Sequence, residues 1–222
     1  MGAQLLECIE IETGPGPQAS IIWMHGLGAD GGDFVPIVDE LQLPSTAIRF
    51  VFPHAPTRPV TINGGTVMRA WYDIASADLA RREDDQGLRE SSSQIEALIA
   101  REKMRGSPAN RIVLAGFSQG GAIALFCGLR FPERLAGIMA LSTYLPLLEK
   151  LNAERHVANV GVPILMAHGI QDPVVTLQRA AASKTALDDA GYRIDWREYA
   201  MAHSVCAEEI RDIGAWIRKV LP

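Results

Sequence analysis

The chain has 222 residues, of which 48% are hydrophobic and 21% are charged, and its formal net charge is −5. This length and composition are typical of one globular domain, residues 1–222, that can bury a sizeable core. The negative charge and the lack of a basic run argue against nucleic acid as a partner and against strong attraction to anionic membranes.

The cysteine content and the N-terminus indicate the compartment. Cys8, Cys127 and Cys206 lie far apart and are odd in number, so they predict neither a disulfide framework nor a metal-ligand cluster. The first residues have no basic segment and no long apolar core, and no apolar run reaches the length of a membrane span. We therefore expect a cytoplasmic protein that does not insert stably into membranes.

Short apolar runs alternate with stretches of helical period along the chain. Because strands separated by helices form parallel sheets covered on both faces, the pattern predicts an α/β fold with a mostly parallel central sheet. Residues 53–85 have no clear period and predict a long loop with a functional role. The predicted strands are 5–11, an edge strand, then 20–24, 47–52, 111–115, 135–141, 162–167 and 193–199. The predicted helices are 34–41, 91–105, 119–130, 176–190 and 205–220.

A pentapeptide, Gly116-Phe-Ser-Gln-Gly120, follows the strand predicted at 111–115 and precedes a predicted helix. This G-x-S-x-G pattern between a strand and a helix is the nucleophile elbow of α/β-hydrolases, in which a tight turn exposes the serine hydroxyl. Ser118 is therefore the candidate nucleophile. The alternative is a glycine-rich turn whose serine has no chemical role.

Serine needs a base within hydrogen-bond reach, and the base needs an orienting acid. In α/β-hydrolases the chain order is serine, acid, histidine. His203 lies between the last predicted strand and the last helix, at the edge of the sheet where ligands bind. We predict that His203 is the base, with a helix-capping histidine as the alternative. His168 ends a predicted strand, and we interpret it as structural.

The candidate acid is Asp172, just after the strand predicted at 162–167 and between the serine and the histidine in order. An Asx-turn or helix cap before Pro173 is the structural alternative. An oxyanion hole needs backbone N–H groups near the nucleophile. We expect one from Gln119 and one from Leu27, in a glycine-rich segment whose alternative interpretation is a simple turn.

Six short segments, spread in order over nearly the whole chain, form a set far more specific than G-x-S-x-G alone. They are His25-Gly-Leu-Gly-Ala-Asp30, Pro56-Thr-Arg-Pro-Val-Thr-Ile-Asn-Gly-Gly65, Trp71-Tyr-Asp-Ile74, Gly116-Phe-Ser-Gln-Gly-Gly121, Gly169-Ile-Gln-Asp172 and Met201-Ala-His203.

This set resembles the small phospholipase/carboxylesterase family of the α/β-hydrolase superfamily, which includes bacterial carboxylesterases and acyl-protein thioesterases. The resemblance implies no separate lid domain and neither a metal nor an organic cofactor. It implies the same triad and oxyanion donors, and an acyl groove along residues 56–80 to which Trp71 and Tyr72 would contribute. Pro173 departs from the family pattern but removes no functional side chain.

The expected function is hydrolysis of small carboxylic esters by a serine carboxylesterase. The alternative is an acyl-protein thioesterase or lysophospholipase acting on longer chains, because these enzymes use the same catalytic residues. A non-catalytic hydrolase-fold binding protein is a third hypothesis, although such proteins are expected to lack a triad member. The expected partner is a small-molecule ester, and relatives that dimerise make a homodimer possible. The charged run at 78–85 is expected to be a solvated face.

Overall fold

A computed structural model describes residues 5–43, 47–76 and 83–222 of the chain. Most of the charged run predicted at 78–85 lies outside these residues. Within the described ranges, no helix has the length and apolar character needed to cross a membrane. Nor do three His, Cys, Asp or Glu side chains of these ranges lie where they could together hold a metal ion.

Seven strands of the described residues form one sheet, in which only the first strand is antiparallel to its neighbour. The strands of this sheet are β1 (Cys8–Glu12), β2 (Ala19–Met24), β3 (Ile48–Pro53), β6 (Ile112–Phe117), β7 (Gly137–Leu141), β8 (Ile164–Gly169) and β9 (Ile194–Tyr199). Their order across the sheet is β1-β3-β2-β6-β7-β8-β9. The mostly parallel sheet predicted from the sequence is confirmed.

Helices cover both faces of this sheet, because alternate residues of the central strands point into two separate cores. In β2, Ile22 and Met24 belong to one core and Ile21 and Trp23 to the other. The six α-helices of the described residues are α1 (Ile37–Glu40), α2 (Asp85–Met104), α3 (Gln119–Arg130), α4 (Leu151–Glu154), α5 (Leu177–Asp189) and α6 (Ala207–Val220). The first core includes buried residues of α2 and α3, and the second includes those of α1 and α6.

The segment predicted as a loop without regular structure, residues 53–85, contains a β-hairpin, so that part of the prediction is wrong. Strands β4 (Thr57–Val60) and β5 (Thr66–Arg69) pair antiparallel across a turn at 61–65. Pro59 interrupts the strand pattern in the sequence, because proline is rare in strands. It is tolerated at the edge of a sheet, and both strands of this two-stranded hairpin are edge strands. The carboxylate of Asp73 holds the hairpin by accepting hydrogen bonds from the N–H and hydroxyl of Thr61.

Candidate active site

Ser118 lies at the turn between β6 and α3, with φ 53° and ψ −119°. A non-glycine residue with positive φ is strained, and the surrounding contacts must hold it there. Its N–H donates to the Leu141 carbonyl at 2.8 Å, and its carbonyl accepts from the Thr143 hydroxyl at 2.6 Å. These bonds fix the backbone of the serine to the end of the neighbouring strand β7.

The two glycines of the pentapeptide are required by close backbone contacts. A Cβ atom on Gly116 would lie 2.2 Å from the carbonyl carbon of Gly120. A Cβ atom on Gly120 would lie 2.2 Å from the carbonyl oxygen of Met24. Only glycine allows strand β6, helix α3 and the end of β2 to approach so closely, so the pattern reflects packing around the strained serine.

The structure brings the three predicted triad residues together. The Nε2 atom of His203 lies 2.9 Å from the Ser118 Oγ, and its Nδ1 atom lies 2.6 Å from the Asp172 Oδ2. His203 is on the loop between β9 and α6, and Asp172 is on the loop that follows β8. The three side chains therefore converge at the carboxyl edge of the sheet, where open α/β folds place their ligands.

Asp172 has a fully buried side chain whose two oxygens have different partners. Oδ1 accepts from the backbone N–H groups of Val174 and Val175 at 2.8 and 2.9 Å, while Oδ2 faces His203. The Asx-turn and the interaction with His203 are thus compatible, because Oδ1 forms the turn and Oδ2 contacts the histidine. Because an ionised carboxylate only accepts, Nδ1 of His203 carries the proton and Nε2 presents its lone pair to the Ser118 hydroxyl.

His168 is buried beside the loop that carries Asp172, which agrees with the structural role expected for it from the sequence. Its Nε2 donates to the Val175 carbonyl at 2.7 Å, and its ring stacks on Trp196. Burial lowers the pKa of His168. The neutral imidazole holds the loop that carries Asp172.

The segment after β2 is held by His25, a role that its position alone did not reveal. The Nε2 atom of His25 accepts from the Ala55 N–H at 3.0 Å, so Nδ1 carries the proton and donates to the Gly26 carbonyl at 2.7 Å. Burial lowers the pKa of His25, which keeps the ring neutral. The Gly28 N–H donates to the Arg69 carbonyl at 2.9 Å and ties the segment to the hairpin.

The two amides predicted to form the oxyanion hole belong to residues that line one cavity with Ser118. Among the described residues, the N–H groups of Leu27 and Gln119 donate to no backbone carbonyl of a turn, loop or cap. Gln119 is also the first residue of α3, and the N–H groups of a first helical turn point out of the helix and favour negative charge.

The side chain of Gln119 makes two contacts that the sequence did not predict. Its Oε1 accepts from the Trp71 N–H at 2.8 Å, and its Nε2 donates to the Tyr72 carbonyl at 2.7 Å. The partners are 48 and 47 residues away along the chain, so no local pattern could indicate them. The buried amide joins the nucleophile turn to the segment that follows the hairpin.

Trp71 and Tyr72, the predicted substrate-binding pair, differ in their surroundings. The structure does not support a substrate contact for Trp71, because its indole is fully buried and its Nε1 donates to the His25 carbonyl at 2.9 Å. An indole with a buried N–H needs such a partner, and this bond ties the Trp71 ring to the segment that follows β2. Tyr72 does line the cavity beside Ser118.

The cavity beside Ser118 has a volume of about 440 Å³. Its walls come from the segment after β2, the hairpin with the residues that follow it, the turn that carries Ser118, the segment after β7 and the loop that carries Asp172. The lining residues are Leu27, Ile62, Asn63, Tyr72, Ile74, Ser118, Gln119, Tyr144, Pro173, Val174, Val175 and Thr176. This mostly apolar cavity is suited to the hydrocarbon part of a small ligand.

The buried neutral histidines predict a pH dependence of stability. The pKa values of His25 and His168 are lowered from 6.5 in the folded chain, so the unfolded chain binds more protons just below that pH. The contribution of these two neutral histidines to the free energy of unfolding should therefore be complete above about pH 6.5 and should decrease as the pH falls below it. Urea unfolding at about pH 7.5 and about pH 5.5 measures this, and His168→Gln should reduce the difference. Equal midpoints at both pH values would contradict the prediction.

Comparisons with known proteins agree with this fold. Residues 6–221 match the phospholipase/carboxylesterase family. Acyl-protein thioesterase 1 of Neurospora crassa is 39% identical over 214 residues, which cover 92% of this chain and 87% of the relative. Acyl-protein thioesterase 1 of Mycosarcoma maydis is 39% identical over 232 residues, with 96% of each chain covered.

Solved structures give the same grouping. The crystal structure of Arabidopsis thaliana SOBER1 is 30% identical, covers 92% of this chain and 99% of its own, and superposes with a TM-score of 0.87. That of Zea mays acyl-protein thioesterase 2 is 26% identical, covers 96% of this chain and 99% of its own, and has a TM-score of 0.84. The chain therefore belongs to the phospholipase/carboxylesterase family of α/β-hydrolases and is an enzyme that hydrolyses esters or thioesters.

Proposed function

We propose that the chain is a serine carboxylesterase that hydrolyses carboxylic esters through a covalent acyl-enzyme on Ser118. The observation that carries the proposal is the continuous hydrogen-bonded series from Ser118 Oγ through His203 to the buried Asp172, with distances of 2.9 and 2.6 Å. In this arrangement the base is within reach of the serine proton, and the acid fixes the tautomer of the base.

Acylation begins when Ser118 Oγ attacks the carbonyl carbon of the ester while His203 Nε2 takes the hydroxyl proton. The carbonyl oxygen becomes an oxyanion, which the N–H groups of Leu27 and Gln119 would stabilise. Asp172 stabilises the imidazolium that forms. The tetrahedral intermediate then expels the alcohol, which receives the proton from His203.

Deacylation repeats these steps with water in place of serine. His203 takes a proton from water, whose oxygen attacks the acyl carbon and forms a second tetrahedral intermediate. Collapse of this intermediate breaks the bond to Ser118 Oγ, and His203 returns the proton to the serine. The products are one carboxylic acid and one alcohol, and the enzyme is regenerated.

A second candidate function, hydrolysis of acyl thioesters on proteins, is favoured by the names of the fungal relatives. A thiolate can leave from the same tetrahedral intermediate, so the triad serves both reactions. The two candidates differ in the acyl chain that the cavity must accept. The volume of the cavity beside Ser118, about 440 Å³, favours substrates with short or medium acyl chains.

Rates on p-nitrophenyl esters from acetate to palmitate, with thioesters of the same acyl chains, test the proposal. We expect kcat/KM to peak at short or medium esters, because a longer chain must extend beyond the cavity. A maximum at palmitate with faster thioester hydrolysis would favour the acyl-protein thioesterase. Rates that are equal in the wild type and in Ser118→Ala would contradict both candidates.

A further inference from the structure

Two tyrosine side chains lie together in the wall of the cavity beside Ser118. The hydroxyl oxygens of Tyr72 and Tyr144 are 3.0 Å apart, and the two residues are only 3% and 4% exposed. Both line the same cavity as the candidate nucleophile. The cavity is otherwise largely apolar, so this hydroxyl pair is a distinctive polar feature of its wall.

One of the two O–H groups of the pair has no acceptor within the pair. Each tyrosine has a single O–H, and the bond between them uses one of the two. Arg179, whose guanidinium lies 4.1 Å from the centre of the Tyr144 ring, can only donate. The side-chain hydrogen bond between Arg179 and the Tyr144 hydroxyl therefore uses an oxygen lone pair of the tyrosine and no O–H of the pair. One O–H of the pair is therefore available to an acceptor.

The hydroxyls keep their protons under ordinary conditions. Burial is the main cause that raises the pKa of Tyr72 and of Tyr144. The nearby carboxylate of Glu83 also opposes ionisation of both tyrosines, and one of its oxygens accepts from the Leu147 N–H at 2.9 Å. The pair is thus a hydrogen-bond donor over the pH range in which the triad would work.

We propose that the Tyr72–Tyr144 pair is a substrate subsite that donates a hydrogen bond to an oxygen atom within the acyl chain. A buried donor without an acceptor is costly, so an all-carbon chain that fills the cavity leaves that cost in place. An acyl chain with an ether, keto or hydroxyl oxygen at the matching position removes it. The inference rests on the proposed function, since it names the class of acyl group that this site selects.

An oxygen scan of one acyl chain tests the subsite. The substrates are the p-nitrophenyl ester of heptanoic acid and the esters in which one methylene at a time is replaced by an ether oxygen. We expect one position of the scan to be preferred over the all-carbon ester by about fivefold in kcat/KM, the size of one net hydrogen bond. The ether and all-carbon esters can differ in intrinsic reactivity, so the ratio of their kcat/KM values in the wild type is compared with the same ratio in variants that lack the hydroxyls.

Three variants separate the pair from either tyrosine alone. In Tyr72→Phe or Tyr144→Phe the remaining hydroxyl loses its partner but keeps its O–H, so each single variant should retain the preference. The double variant has no donor and should lose the preference, so that its ratio of kcat/KM between the ether ester and the heptanoate ester falls to the intrinsic value at every scan position. Tyr192→Phe is the matched control, because Tyr192 is equally buried but does not line this cavity.

The ratio between two substrates of one enzyme preparation does not depend on how much of a variant is folded. Equal ratios in the wild type and in the double variant at every scan position would overturn the subsite. That result is distinct from failure of the proposed function, in which the heptanoate ester itself would show no hydrolysis that depends on Ser118.

Discussion

Replacing Ser118 with alanine should lower kcat for ester hydrolysis by about 10⁴- to 10⁶-fold. The Ser118 hydroxyl lies 2.9 Å from His203 Nε2, and its loss leaves the base without this nucleophile to activate. The strained backbone at this position is held by bonds to Leu141 and Thr143 that involve no side-chain atom of the serine. We therefore expect Ser118→Ala to fold and to bind substrate.

Ser93→Ala is the matched control for this variant, since Ser93 is an exposed serine of α2. Its kcat should equal that of the wild type. The measurement is the steady-state rate on the best p-nitrophenyl ester, with circular dichroism to compare the folded fractions. A Ser118→Ala enzyme with more than about a tenth of the wild-type kcat would show that another group is the nucleophile.

The variant Asp172→Asn should lower kcat by about 10⁴-fold while leaving the fold intact. The reason lies in the two sides of the carboxyl group. The backbone N–H groups of Val174 and Val175 both point at Oδ1, so the amide oxygen of an asparagine must occupy that side. The amide N–H₂ then faces His203 Nδ1, which has to accept. The proton moves to Nε2, and the imidazole can no longer accept the proton of Ser118.

The Asp172→Asn effect is measured as kcat on the same ester, together with the unfolding midpoint in urea. Asp189→Asn is the control, because this aspartate at the end of α5 is exposed to solvent, whereas Asp172 is buried. It should change neither quantity. An Asp172→Asn enzyme with near wild-type kcat would mean that the carboxylate does not orient the base.

The strands and the triad could be predicted because their signals are local. The strand that precedes Ser118 is a short apolar run that ends at a turn flanked by glycines. Close backbone contacts around this turn leave no room for a Cβ atom at either glycine. Asp172 and His203 each follow a predicted strand, and parallel strands bring their carboxyl ends to one edge of the sheet. Chain order was therefore sufficient to predict which side chains meet.

The remaining features depend on contacts between distant parts of the chain. The β4–β5 hairpin escaped prediction because Pro59 interrupts its strand pattern. The surroundings of Trp71 are set by the His25 carbonyl and by the Gln119 side chain, and the hydroxyl pair of the cavity joins residues 72 positions apart. No spacing rule connects such residues, so only the fold reveals that they meet.

Treating the protein with a fluorophosphonate and locating the adduct by peptide mass spectrometry tests directly whether Ser118 is the activated nucleophile. Such a reagent phosphonylates a serine only when an adjacent base activates it. We expect one stoichiometric adduct on Ser118, formed in the wild type and strongly slowed in His203→Ala. An adduct on another residue, or no adduct on the folded wild-type protein, would contradict the assignment of Ser118 as the activated nucleophile.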